Sequence, residues 1–421
     1  MSALRRKLES FCYLIEINTV IFIPEFEEFM MTDLESLLDR ELDATNGILR
    51  LKAAFVARDF YPGLGRLGVK KYRVGKRGWI CERWIASAVR AENVYKVENE
   101  GLSFIASSTS GTKISFAQSL ELIPSRMLGE KYAKEHNNRF GVLTKVLDIG
   151  IPIPWHIHAR EEDAKRYWNM DGKEEAYYFL DSPVRGPLPY SHIGVHPHVT
   201  KDDLLPLLKR WNDDKVLDLS PAYRLNAGQG FHVFPGIPHA PGTALTLELQ
   251  EESDVYNMLQ AYCNGKILSR DILLKGLPDE EAVVDLIDWE KARDPYFYRK
   301  YHTIPEKVVG SGVEEHGVEY WAFNPNRTWK FSGKELRVPP GKTFESRENG
   351  AYAILVWRGE GRLGNLRVKA GDCKLDELFV SYEAAVEPHK ITSTGKQELV
   401  LYKIFGPDVN RAAIVYDSLE Y

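Results

Sequence analysis

Short apolar runs separated by glycine, proline and asparagine turns dominate this sequence from about residue 50 onward, and their order occurs twice. In both copies a strand-like run, a glycine-rich turn and a second run lead to a Pro-His step, which in the C-terminal copy is spelled VPPGKTFE, GEGRL, VKAGD and FVSYEAAVEPH. Runs of this length joined by tight turns are typical of antiparallel sheets. A repeated order indicates two copies of one unit. The chain is therefore predicted to be mainly β, with two similar barrels.

Helical segments divide the chain into four predicted parts. The insertion after residue 199 has Thr200 as a helix N-cap and Asp203 at the third helical position, an acidic variant of the capping box. The insertion EEDAKRYW has the pattern of a surface helix. The predicted parts are an N-terminal extension with a short helix (1–45), a first barrel with helical insertions at about 159–170 and 200–213 (46–265), a helical connector (266–304) and a second barrel (305–421).

Composition restricts the class of partner. The 421 residues suffice for two or three domains with cores of their own. The net charge of −5 and the lack of any Lys/Arg block argue against a nucleic-acid partner.

The N-terminus and the cysteines indicate a cytoplasmic protein. The apolar stretch after the basic residues at 5–7 is interrupted by Glu9 and Glu16, and it falls short of the ~20 apolar residues that a membrane helix needs. Met30-Met31 is an alternative start. The four cysteines are widely separated and form no CxxC pair, which favours free thiols in a reducing compartment. They are Cys12, Cys81, Cys263 and Cys373.

One group of residues in the first barrel has the pattern of a metal site. His156 and His158 are two positions apart, so on a strand both imidazoles point to the same face. Glu175 opens the next apolar run, and His239 follows the Pro235-Gly236 turn. Three imidazoles and one carboxylate from neighbouring strands predict a divalent transition-metal site.

Other histidines compete with these as ligands. His232 lies on the strand before the turn, and His196 and His198 repeat the two-residue spacing around a proline that would break a strand ladder. In the second copy Phe344 and Ser346 take the place of the histidine pair, which predicts a second barrel without metal.

Glu248 has two possible orientations on pattern alone. In ALTLELQ it shares a face with Thr246, opposite three leucines. It either faces the barrel interior, where a carboxylate must be paired or used, or it is an outward, solvated residue.

Six segments, in order over most of residues 75–265, resemble those of the type I phosphomannose isomerases, zinc-dependent bicupin enzymes that interconvert mannose 6-phosphate and fructose 6-phosphate. Beyond about residue 265 only the general barrel pattern is shared. The segments are ICERWIAS, RFGVLTKVLDIGIPIPWHIHA, DGKEEAYYFL, VTKDDLLPLL, GQGFHVFPGIPHAPG and LTLELQEESDVYNMLQAY. The resemblance implies two cupin barrels, each a double-stranded β-helix or jelly roll, with helical insertions and a helical connector.

The resemblance also assigns site residues. It implies that His156, His158, Glu175 and His239 hold one divalent ion, expected to be zinc with manganese or iron as alternatives. The expected catalytic residues are Glu248, Lys173 and Lys145. The expected substrate-binding residues are Lys145, Trp155 and Asp254.

Three positions depart from the family pattern. His156 replaces a glutamine, Met258 an arginine and Pro154 a serine.

The predicted function is a metal-dependent aldose–ketose isomerase that acts on mannose 6-phosphate or a related sugar by enediolate proton transfer, with Glu248 as base and Lys173 assisting. The alternatives are a sugar-binding or regulatory relative, an isomerase or epimerase of an unphosphorylated sugar, and a cupin dioxygenase. The expected partner is a small sugar, with neither nucleic acid nor membrane, and the oligomeric state is left open.

Overall fold

A computed structural model describes residues 24–106, 111–184 and 186–412. The N-terminal apolar stretch and Cys12 lie outside the described residues. The helices are α1 (Pro24–Ala44), α2 (Phe116–Leu122), α3 (Pro124–Leu128), α4 (Glu130–Glu135), α5 (Glu161–Trp168), α6 (Lys201–Arg210), α7 (Asp271–Leu274), α8 (Glu280–Asp285), α9 (Trp289–Ala292), α10 (Phe297–Tyr301) and α11 (Tyr382–Ala385).

Strands outnumber helices and make the chain mainly β, as predicted. Those before the connector are β1 (Ile48–Lys52), β2 (Ala54–Arg58), β3 (Trp79–Ile85), β4 (Phe104–Ile105), β5 (Leu143–Leu147), β6 (His156–Ile157), β7 (Glu175–Phe179), β8 (Tyr190–Ile193), β9 (Ala222–Arg224), β10 (Gly230–Val233), β11 (His239–Ala240), β12 (Thr246–Gln250), β13 (Asn257–Met258), β14 (Tyr262–Cys263) and β15 (Lys266–Ile267). Those after it are β16 (His302–Thr303), β17 (Glu306–Lys307), β18 (Val318–Phe323), β19 (Ser332–Val338), β20 (Thr343–Ser346), β21 (Tyr352–Arg358), β22 (Glu360–Leu363), β23 (Leu366–Lys369), β24 (Glu377–Val380), β25 (His389–Ser393) and β26 (Leu399–Phe405).

Each half of the chain is a sandwich of one large and one small antiparallel sheet. In the N-terminal half the strand orders are β16-β10-β7-β12-β5-β3-β2 and β13-β6-β11-β8-β9. In the C-terminal half they are β17-β18-β19-β26-β21-β24-β1-β4 and β20-β25-β22-β23. The two sheets of a half are separate, so each half is an open jelly roll and not a continuously closed barrel.

The C-terminal sheet takes up strands from the N-terminal half. Strand β1, the first strand of the predicted first barrel, pairs with β24 of the C-terminal sheet, with Leu49 opposite Phe379, and β4 pairs with β1. Strand β16, at the end of the predicted connector, pairs with β10 of the N-terminal sheet. The hydrogen-bonded sheets therefore do not keep all strands of residues 46–265 in one barrel.

One apolar cluster spans both halves. It contains Leu247 and Leu249 from the first half and Phe379 and Ile404 from the second, all of them buried. Arg83 adds a buried ion pair, since its guanidinium donates to Asp376 at 2.7 and 2.9 Å and to Glu377 at 3.0 Å. Burial makes both kinds of contact effective, so the halves share one core.

The strand ladders confirm that the second half repeats the first. His239 lies opposite His156, and His389 lies opposite Ser346. With this register the His-x-His pair corresponds to Ser346 and Glu348, two residues later than the match to Phe344 and Ser346 that the sequence suggested. A shift of two residues keeps the same face of the strand pointing inward. The alternating pattern alone therefore could not decide between the two matches.

The predicted helices are present with small differences. The helix α6 begins after Thr200, whose N–H and hydroxyl donate to the Asp203 carboxylate at 2.8 Å. Helices α3 and α4 are separated by Gly129, which has a φ of 84°. The connector contains four short helices, α7 to α10.

The described residues contain free thiols at Cys81, Cys263 and Cys373. None of the helices within the described ranges combines the length and apolar character needed to cross a bilayer.

Candidate metal centre

Three buried histidines converge in the N-terminal half. His156 lies on β6, His158 directly follows that strand, and His239 opens the adjacent strand β11. Gly236 turns the chain between β10 and β11 with a φ of 82°, and its N–H donates to the His158 carbonyl at 2.8 Å. The ligand atoms of the three histidines lie within 4.8 Å of one another.

Each imidazole is oriented by a backbone carbonyl. The Nδ1 atoms of His156, His158 and His239 lie 2.8 Å from the carbonyls of Pro154, Val255 and Ile237, respectively. A carbonyl can only accept, so Nδ1 carries a proton in each ring and Nε2 is the nitrogen that could bind a metal.

Two of the three rings, His156 and His158, are held neutral. Burial, with the neighbouring His239 and His158 adding to it, lowers the pKa of His156 well below its ordinary value. Burial and then Lys173 lower the pKa of His158 to about 4. Neutral imidazoles are the form that binds a metal ion.

Glu175 lies against two of the three histidines. Its carboxylate oxygens are 3.1 Å from Nε2 of His158 and 2.8 Å from Nε2 of His239. Tyr177 donates to the same carboxylate, and Lys173 Nζ lies 3.3 Å away. Burial would raise the pKa of Glu175, but the contacts with His158, Lys173 and His239 outweigh burial and hold the pKa well below the ordinary range.

The donor set fits a divalent metal ion. Although they are close to Glu175, Nε2 of His158 and of His239 make no hydrogen bond of acceptable geometry, nor does Oε2 of Glu175. Buried polar atoms without partners are rare unless another group satisfies them. Three imidazole Nε2 atoms and a carboxylate match the ligand preferences of Zn²⁺, Mn²⁺ or Fe²⁺.

A buried row of alternating charges lies beside the histidines. Arg58 Nε is 2.7 Å from Glu82 and its Nη2 is 3.0 Å from Asp254. Lys145 Nζ is 3.1 Å from the other oxygen of Asp254 and 3.7 Å from Glu248. These five side chains come from four neighbouring strands and the loop after β12, and all are buried.

Glu248 is the weakest acid of this row. It faces the interior, opposite Lys145 on β5 and Tyr177 on β7. Burial and the nearby Glu175 raise the pKa of Glu248 to about 7, with Lys145 acting in the opposite direction. By contrast, Arg58 and Lys145 overcome the effect of burial on Asp254 and keep its pKa below the ordinary value. Glu248 is thus the carboxylate that can exchange a proton near neutral pH.

A small cavity lies between these groups. Its volume is about 40 Å³, close to that of one water molecule. A neighbouring hollow of about 520 Å³ shares Phe60 and Tyr256 with it. The inner cavity is lined by Arg58, Phe60, Tyr61, Glu82, Lys145, Leu147, Ile153, His156, His158, Lys173, Tyr177, Pro241, Glu248, Asp254, Tyr256 and Met258.

The structure brings most of the predicted residues together. Lys145, Lys173, Glu248 and Asp254 all line the cavity. Trp155 is not part of the lining, because its side chain is fully buried in the hydrophobic core. The cavity therefore gives no support to the prediction that Trp155 contacts substrate.

Sequence reasoning missed Arg58 and gave Glu82 no role. Both lie two residues from a buried apolar side chain on the same strand, Arg58 from Val56 and Glu82 from Trp84. Charged side chains on an otherwise buried face are the signal that could have found them.

The competing histidines are engaged elsewhere. His232 Nε2 lies 2.7 Å from Glu174, and the rings of His196 and His198 stack on each other at 5.8 Å. None of the three belongs to the metal-binding group.

In the C-terminal half an ammonium group occupies the corresponding interior. Lys403 is fully buried. It lies opposite Lys334 on the neighbouring strand, just as Glu248 lies opposite Lys145 in the first half. Its Nζ lies 2.5 Å from Glu319, 2.8 Å from Glu348 and 2.6 Å from the Ser346 hydroxyl. That the C-terminal half binds no metal remains a prediction, and the buried ammonium group of Lys403 supports it.

Comparison with known proteins identifies the fold. No family profile matches the chain, and no curated protein does. A mutant of phosphomannose isomerase from Salmonella typhimurium superposes with a TM-score of 0.59 over 86% of this chain and 100% of that chain, at 15% identity. The mannose 6-phosphate isomerase from Bacillus subtilis gives a TM-score of 0.59 over 85% of this chain and 99% of that chain, at 17% identity. The chain thus has the two-jelly-roll fold of those isomerases.

Proposed function

We propose that this protein is a metal-dependent aldose–ketose isomerase of a small sugar. The observation that carries the proposal is a metal-ligand set beside a buried carboxylate, Glu248, whose pKa of about 7 suits a general base at neutral pH. The likeness to phosphomannose isomerases supports the reaction class and makes mannose 6-phosphate the first substrate to be tested.

The histidines and Glu175 would hold the ion. Bound there, a divalent cation supplies Lewis-acid polarisation to the oxygens on two adjacent sugar carbons. Zinc is our first candidate, because three imidazoles and a carboxylate suit it, with manganese and iron as alternatives.

The chain's own residues would move the proton. Isomerisation of an aldose moves a proton from C2 to C1, which one base on one face of the sugar can carry, and a second proton from the C2 hydroxyl to the C1 oxygen. Glu248 takes the C2 proton and gives it back at C1. Lys145, 3.7 Å from Glu248, stabilises its carboxylate form before the first step and after the second. Lys173, which also lines the cavity, would donate to a sugar oxygen as negative charge develops.

A binding protein without catalysis is the main alternative. Such a protein would need neither the ligand set nor a carboxylate with a raised pKa, so the site favours the enzyme. The oxygenase alternative requires iron and oxygen uptake, which a metal assay and an oxygen electrode would detect.

The test is proton exchange with solvent. We expect the zinc- or manganese-loaded protein to exchange the C2 hydrogen of an aldose in ²H₂O, as followed by ¹H NMR, and to form the ketose. Chelation should abolish exchange and lower the melting temperature, because the ion binds the folded state. A fully metal-loaded protein that exchanges no hydrogen from any free or phosphorylated aldose would refute the proposal.

A further inference from the structure

We infer that the sugar accepted at this site carries no phosphate group, an inference that rests on the proposed isomerase function. A phosphate monoester brings a charge of roughly −1.5 to −2 at neutral pH and needs free cationic donors. Most cationic groups of the cavity and its entrance are already paired, and carboxylates outnumber them in both places.

Arg58 has no donor left for a ligand. A guanidinium has five N–H groups. Those of Arg58 point to the carboxylates of Glu82 and Asp254, to the Asn93 side chain at 3.1 Å and to the Glu92 carbonyl at 3.0 Å. To bind phosphate, Arg58 would have to give up its ion pairs with two buried carboxylates, which is unfavourable.

The two cavity lysines are also engaged. Lys145 lies between Asp254 and Glu248 and over the Trp84 ring, whose centroid is 5.0 Å from Nζ. Lys173 lies 3.3 Å from Glu175.

Carboxylates outnumber cations around the cavity. Glu82, Glu175, Glu248 and Asp254 surround Arg58, Lys145 and Lys173. A bound divalent ion would change the balance by two charges, which leaves less positive charge than a phosphate dianion needs. A phosphorylated sugar would therefore leave the site with a net negative charge where water is excluded, which is unfavourable.

The position at which the family resemblance predicts an arginine is an apolar wall. Met258 lines the cavity opposite His156 and is 1% exposed. Its thioether donates no hydrogen bond and carries no charge.

The entrance is no more favourable to an anion. The outer hollow holds Asp59, Glu92 and Asp271 against two lysines. One, Lys266, is 3.8 Å from Asp59, and the other, Lys275, lies over the Tyr256 ring at 4.4 Å. Burial lowers the pKa of Lys275.

The same groups suit an uncharged sugar. A hydroxyl donates one hydrogen bond and accepts others, so it can insert between the paired cations and carboxylates without breaking their charge balance. Tyr61, Tyr177 and Tyr256 add flat apolar faces with polar tips to the wall.

The wild-type protein provides the main test. With zinc or manganese bound, we expect kcat/KM for at least one free aldohexose or aldopentose to exceed that of its terminal phosphate by at least about tenfold. A tenfold preference for the phosphorylated form would overturn the inference and leave the isomerase proposal intact. If no sugar reacts, the isomerase proposal fails instead. Stabilisation against heat by mannitol and not by sorbitol 6-phosphate or inorganic phosphate would then still support an uncharged ligand, and the reverse would overturn it.

Two variants sharpen the test. Met258→Arg should lower the preference for the free sugar several-fold, because it adds a cation to the wall, whereas the matched control Met258→Leu should leave the preference unchanged. If Met258→Arg does not fold, the variant Lys275→Met tests whether the entrance binds phosphate. We expect no change in the ratio of the two kcat/KM values, and a tenfold loss confined to the phosphorylated sugar would show that the entrance does bind phosphate.

Discussion

Glu248 and Glu175 lie beside the same cavity, but their different surroundings give the two carboxylates different roles. Glu175 lies next to imidazoles and Lys173 and remains an acceptor, while Glu248 lies farther along the neighbouring strand and has a raised pKa. A pair of acids whose environments drive their pKa values apart is a common sign of acid–base chemistry.

Replacing Glu248 by Gln should abolish the reaction and keep the metal. Loss of a general base typically lowers kcat by about 10²–10⁴, and an amide has nearly the same volume, so folding should persist. The measurement is C2 hydrogen exchange together with metal content. Glu248→Asp serves as the control and should keep part of the rate; a Gln variant with the wild-type rate would show that the base is another residue.

The same carboxylate predicts the acid limb of the pH profile. A base must be deprotonated, so kcat should fall as pH decreases through the pKa of Glu248. That pKa is about 7 without metal, and a bound cation lowers it, so the midpoint should lie at or below about 7. A rate that rises as pH falls across this range would contradict the role of Glu248.

At the scale of elements, the turn between β10 and β11 determines where His239 lies. Gly236 has a φ of 82°, and a Cβ there would lie 3.0 Å from Asp288 Cβ and N. Gly236→Ala should destabilise the fold by more than the roughly 1–2 kcal/mol of left-handed strain and weaken metal binding, as measured by denaturant unfolding and metal titration.

Gly265 provides the matched control for that turn. It has a φ of 79°, but a Cβ added there would meet no atom within 4 Å, so Gly265→Ala carries only the backbone strain. Equal losses of stability and equal metal affinities in the two variants would show that the turn does not position the site.

Lys403 holds the interior of the second sandwich together. Removing one partner of a buried ion cluster costs about 3–5 kcal/mol, so Lys403→Met should lower the free energy of unfolding by that order. Lys307→Met, at an exposed position of β17, is the control and should change little. If Lys403→Met is as stable as wild type, the network does not stabilise this half.

At the scale of the whole molecule, the pairing of β1 with β24 makes the halves interdependent. A fragment of residues 46–304 would leave β1 without its partner β24 and expose the cluster around Leu247 and Leu249. We expect this fragment to aggregate or to lack a cooperative melting transition, as measured by circular dichroism, and residues 305–412 supplied together with it to restore one. A fragment that melts cooperatively alone and binds metal would contradict this view.

Short-range sequence patterns were enough to predict much of the site. The spacing of His156 and His158, the Pro-Gly turn before His239 and the start of a β run at Glu175 all arise from residues close in sequence, where strand periodicity fixes the facing of side chains. The orientation of Glu248 could not be decided in this way, because an alternating strand has two faces and only packing against β5 and β7 shows which one is buried.

The sequence by itself determined the mainly β architecture, its internal repeat and the identity of the residues that could bind a metal. Only the tertiary structure decided which charges meet, because these contacts join distant parts of the chain. Arg58 and Asp254 are 196 residues apart in sequence, yet their side chains form one buried ion pair. Such a pairing leaves no periodic trace in the chain, and it is this pairing that makes the cavity unsuited to a phosphate.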